Sequence, residues 1–95
     1  MLDPKILAAV GKALREASLK EDELVDLEVT VDGTDKFFQI QYGTLEESDG
    51  KHFFALYYSY VHPTFGEGSF FVTSMWSEVP FPLIAKTFTR LVLQM

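Results

Sequence analysis

His52 and His62 are the only imidazoles in the chain, and imidazole is the side chain best suited to move a proton or hold a metal near neutral pH. Ten residues separate them, which on a regular strand is about 30 Å, so they cannot share a metal within one chain. Neither has a Ser or Cys beside it in a recognisable nucleophile setting. The sequence has no cysteine, and that removes thiolate ligands, cysteine nucleophiles and disulfides together. Gly66-Glu67-Gly68 lacks the third glycine, the following Lys-Ser or Lys-Thr and the helix start of a phosphate-binding loop. Glu46, Glu47 and Asp49 lack the spacing and the terminal bidentate Glu of a calcium loop, and read as solvated charge in a turn. No catalytic, metal or cofactor site is expected, and the chain reads as non-enzymatic.

The chain is instead rich in aromatic carbon. Nine Phe, four Tyr and one Trp make up 15% of the residues, enough to fill a small core and leave rings at a surface that something else covers. They concentrate in the stretch from Lys51 to Val61, where alternation does not separate apolar from polar. One face of that strand carries His52, Phe54, Leu56, Tyr58 and Tyr60, the other Phe53, Ala55, Tyr57, Ser59 and Val61. A strand apolar on both faces wants cover on both. His52, Tyr58 and Tyr60 form a candidate pocket for an apolar or planar ligand between sheet and helices.

Around this strand the remaining elements follow from local pattern. Asp3-Pro4 is a helix start, since Asp accepts from orphan backbone N–H groups and Pro has no donor to lose at the first helical position. The helix is expected to run to about Ser18, with Ile6, Leu7, Val10, Leu14 and Ala17 on one stripe. From Leu24 to Val31 the chain alternates cleanly, with Val25, Leu27, Val29 and Val31 opposed to Asp26, Glu28 and Thr30, the pattern of a strand with one wet face. Asp32-Gly33 turns it back, and Lys36 to Tyr42 returns with Phe38, Ile40 and Tyr42 on one side and Phe37, Gln39 and Gln41 on the other. After the aromatic strand, His62 to Gly68 reads as a turn-rich loop, with Pro63 stopping the ladder. Ser69 to Trp76 is a fourth strand, expected to place Phe70, Val72 and Trp76 on one side and Phe71, Thr73 and Met75 on the other. A second amphipathic helix is expected from Pro82 to Gln94, with Ile84, Phe88, Leu91 and Met95 at helical spacing.

Short connections make sequential strands antiparallel neighbours. Residues 1–95 are therefore expected to form a single α+β domain: a two-layer sandwich of order α-β-β-β-β-α, in which a four-stranded antiparallel meander carries the N- and C-terminal helices on one face. A sheet curled around one helix would use the same elements.

Net charge is −6, and it is segregated. Residues 21–49 hold ten acids against Lys36 alone, whereas residues 1–20 hold four basic groups against Asp3 and Glu16. An acidic surface repels phosphate backbones, so no nucleic-acid partner is expected. The first residues, Met1-Leu2-Asp3-Pro4-Lys5, lack the basic-then-apolar order of a secretory signal, and no apolar run approaches the roughly 20 residues of a membrane span. A cytoplasmic protein without a membrane partner is expected.

Two helices cover one face of four strands. The uncovered face is then expected to expose Phe53, Tyr57, Val61, Phe70, Val72 and Trp76, a patch larger than a monomer usually shows. The simplest cover is a second copy about a two-fold axis. The functional expectation is a small acidic interaction module, homodimeric through this face, that acts on another protein as adaptor, chaperone or inhibitor. The alternatives are a ligand-binding domain or minor enzyme with an aromatic pocket, and an acidic mimic of nucleic acid directed at a basic partner.

Overall fold

The computed structural model describes residues 2–95, with His62 by its backbone alone. The elements are α1 (Pro4–Ser18), β1 (Leu24–Val31), β2 (Thr34–Thr44), β3 (His52–His62), β4 (Gly66–Trp76) and α2 (Phe81–Gln94), with a single 3-10 turn (Glu46–Ser48) between β2 and β3. The strands form one antiparallel sheet in the order β1-β2-β3-β4. This is the expected α-β-β-β-β-α meander.

Local chemistry explains the element ends. Asp3 Oδ1 accepts from the backbone N–H groups of Lys5 at 2.8 Å and Ile6 at 3.4 Å, which satisfies two of the donors that a helix start leaves open. Asp32 and Gly33 take φ of 51° and 79° and join Val31 to Thr34, a two-residue turn with both central dihedrals positive that matches the twist of the strands it connects.

Register assigns the faces. Val25, Leu27, Phe38, Ile40, Leu56 and Phe54 are aligned across β1, β2 and β3, and all are buried in one core with Ile6, Val10 and Leu14 of α1 and Ile84, Phe88 and Val92 of α2. Both helices therefore cover the same face. Each large apolar side chain fully buried there stabilises the fold by about 1.5–3 kcal/mol. The smallest dimension of the molecule, 19 Å, is the thickness of one sheet plus one helix layer. Among the described residues no element covers the opposite face of the sheet.

The β3–β4 hairpin departs from expectation in two ways. First, its loop is only Pro63–Phe65, and the ladder continues through Val61↔Glu67 and Tyr60↔Gly68 to His62↔Gly66. Pro63 sits at the tip, where no ladder bond is asked of it, and the glycines lie in an edge strand that needs only one set of partners. Secondly, the pairing slips between Leu56 and Tyr57: Leu56 is opposite Thr73, but Tyr57 is opposite Phe71. Val72 is the extra residue of a β-bulge, and beyond it the alternation of β4 changes phase.

Candidate interaction face

The uncovered face is built in two halves. On the β1–β2 half, register places Asp26, Glu28 and Thr30 beside Gln39, Phe37 and Asp35. Their side chains form a polar lattice: Thr30 Oγ1 donates to Asp35 Oδ1 at 2.7 Å, and Gln39 Nε2 approaches Asp26 Oδ1 at 3.5 Å. Gln41 Nε2 donates to the Asp22 carbonyl at 3.1 Å. Phe37 is the one ring on this half and is 50% exposed.

The β3–β4 half is aromatic. Phe53 is paired with Trp76 and Tyr57 with Phe71, the latter edge to face with ring centroids 5.9 Å apart, a favourable arrangement for the ring quadrupoles. Tyr57 also donates through Oη to Gln41 Oε1 at 3.2 Å, which ties the aromatic half to the polar one. Ala55, between Phe53 and Tyr57 along the strand, is fully buried although no helix covers it; the larger side chains around it close over it. Trp76 remains 44%, Phe71 60% and Val61 70% exposed. On the side away from the helices the rings thus gather between the Phe53–Trp76 and Tyr57–Phe71 pairs, and the Ser59–Ser69 pair separates them from Val61.

Of the six residues expected on this face, the structure places Phe53, Tyr57, Val61 and Trp76 on it, with Val61 about 27 Å along β3 from Phe53, and corrects two. Phe70 is opposite Tyr58 and lies against Tyr60, with centroids 4.5 Å apart and planes within 7°. Val72 packs against the core. Both belong to the helix side, because the bulge at Val72 shifts the two-residue alternation by one position. The same shift delivers Phe71 to the uncovered face, where sequence pattern did not place it. Phe70-Phe71-Val72 is apolar throughout, so no residue type marked the change.

The expected pocket is not assembled. Tyr58 and Tyr60 form a ladder with Phe38, at 5.2 Å between Phe38 and Tyr58 and 6.3 Å between Tyr58 and Tyr60. His52 lies six and eight residues earlier on the same strand, hence about 20 and 27 Å away. Its ring stacks on Tyr42 at 4.5 Å, and its Nε2 meets Glu21 Oε1. His52 thus anchors the segment before β1 to the start of β3. Tyr58 and Tyr60 border an open depression of about 880 Å³ at the far end of the sheet, with Asp26, Glu28, Asp35, Phe37, Val61 and Glu67 among its other walls.

Among the described residues no three His, Asp or Glu side chains converge on a metal-sized site, and no helix is long and apolar enough to cross a membrane. The expectation for the His62 side chain lies outside the described residues. Compared with protein-family models, curated proteins and solved structures, the chain matches none.

Proposed function

We propose that this protein is a small cytoplasmic interaction module that acts by binding rather than by chemistry, as an adaptor, chaperone or inhibitor of another protein, and that it is a homodimer through the aromatic half of its uncovered face. The observation that carries this is the stripe of Phe53, Tyr57, Phe71 and Trp76, aligned across β3 and β4 with no element of the chain over it. Rings of this size bury about 150–250 Å² each, and their exposed portions supply a minority of the roughly 800 Å² per partner that a stable interface uses, the rest coming from the residues around them. Tyr and Trp suit such a face because they bury area and keep a polar tip.

Charge favours a particular arrangement. A two-fold axis along the strands lays each β3–β4 half on the other and leaves the two acidic β1–β2 halves pointing outward on opposite sides, so like charges do not meet. Light scattering after size exclusion is the test. The wild-type protein is expected to run as a dimer, and Trp76→Glu as a folded monomer, because a carboxylate beside Phe53 in the aromatic cluster would be buried without a partner. A wild-type monomer at about 100 μM, a concentration well above the micromolar dissociation constant of a modest interface, would overturn the homodimer.

A further inference from the structure

We infer that the end of the uncovered face nearest the two hairpin turns, centred on Phe37 of β2 and Val61 of β3, docks a cationic amphipathic segment of another protein, one in which Lys or Arg alternates with apolar side chains. This names the partner chemistry of the interaction module proposed above, at the opposite end of β3 and β4 from the Phe53–Trp76 pair. Register directs Asp26, Glu28, Asp35 and Glu67 to this face, and all four are exposed. Phe37 and Val61, also exposed, lie among them. Among the described residues the strands direct no Lys or Arg to this side. Lys36 is aligned with buried Val29 and so points to the helix side, Lys51 precedes β3, and the other six basic residues lie in or beside the helices.

Two exposed apolar side chains framed by four carboxylates, with Lys36, turned to the helix side, the one cation among the described residues bordering the same depression, select what covers them. A neutral or acidic segment would desolvate the carboxylates, of which Asp35 and Asp26 have only neutral donors beside them, without supplying a counter-charge, and an acidic one would also be repelled. A basic segment pairs them at the rim while its apolar side chains cover Phe37 and Val61. Asp26 and Glu28, two residues apart on one strand, stand about 7 Å from each other, within reach of successive long side chains whose alkyl stems lie along the apolar surface. Nucleic acid has the wrong sign.

The test is fluorescence anisotropy of labelled synthetic peptides against the full-length protein. A peptide of alternating Lys and Leu is expected to bind, and to lose at least about tenfold in affinity between roughly 50 and 300 mM salt. Replacing its Leu by Gly is expected to weaken binding at least about tenfold, since charge alone then remains; equal affinity of the two peptides would reduce the effect to net charge and overturn the site. The double variant Asp26→Lys, Glu28→Lys is expected to abolish binding. Glu46→Lys, Glu47→Lys, the same charge change beyond the other end of β2, is expected to leave it within about twofold. Equal loss in both variants, or no binding by the wild type, overturns the inference. Trp76→Glu separates this inference from the dimer: a monomeric variant that still binds the peptide supports two independent surfaces, and a wild type that binds as a monomer removes the dimer but not the docking site. Assemblies larger than a dimer that dissociate with salt would instead assign the face to the chain's own basic helix layer.

Discussion

The two hairpins of the sheet share a core and differ in how they use their second face. In β1–β2 the side chains turned from the helices are mostly acidic or amide, which water alone can solvate, and Leu24 and Phe37 are the apolar exceptions. In β3–β4 they include four rings, Phe53, Tyr57, Phe71 and Trp76, gathered toward one end. The first hairpin closes with a two-residue turn in which Asp32 and Gly33 both have positive φ, and keeps one register throughout. The second closes over Pro63–Phe65 and changes register at Val72. A strand with one wet face has a single acceptable phase, because a one-residue slip would bury its carboxylates. A strand apolar on both faces tolerates either phase, and the bulge sits where that tolerance exists.

The contrast between a covered and an uncovered face is greatest at two adjacent rings of β2. Phe38 is 1% exposed and lies under the helices, whereas its neighbour Phe37 faces outward. Phe38→Ala is expected to cost about 3–5 kcal/mol, and Phe37→Ala less than about 1 kcal/mol, measured by urea unfolding. Similar costs at both positions would mean that β2 is covered on two sides. In β4 the contrast concerns association. Phe71→Glu is expected to weaken dimerisation at least tenfold, which is about 1.4 kcal/mol, while Phe70→Glu leaves the dimer constant within about twofold. The opposite order would place β4 in an unbulged register. The smallest contrast separates the turns. Gly33→Ala is expected to destabilise by about 1 kcal/mol, since a side chain is strained at its φ of 79°. Gly68→Ala is expected to stay within about 0.5 kcal/mol, because the added Cβ makes only an ordinary contact, 3.5 Å from the Tyr60 ring. Thermal or denaturant midpoints of the two variants check this.

Much of the fold was legible residue by residue. Asp3-Pro4 marked the start of α1, Asp32-Gly33 marked the first turn, and Val25, Leu27 and Val29 against Asp26 and Glu28 marked the buried face of β1. Those signals are local, since each depends on a backbone dihedral, a missing donor or the two-residue period of one strand. The candidate face was legible in part. Phe53, Tyr57, Val61 and Trp76 stand where strand alternation puts them, but Phe70, Val72 and Phe71 do not, because the phase of β4 is set by its pairing with β3. The pocket of His52, Tyr58 and Tyr60 failed for a different reason: membership of one strand face says nothing about separation along it.

The chain's own order of residues determined the six elements, their sequence, the wet face of the first hairpin and the segregation of charge. Only the tertiary structure decided which rings of the second hairpin face outward and how far its ladder runs. Periodicity is written within a strand, and an apolar run on both faces carries no preference between phases. The choice falls to the pairing of β3 with β4 and to the packing of Val72 against the core, and neither exists until the sheet has formed.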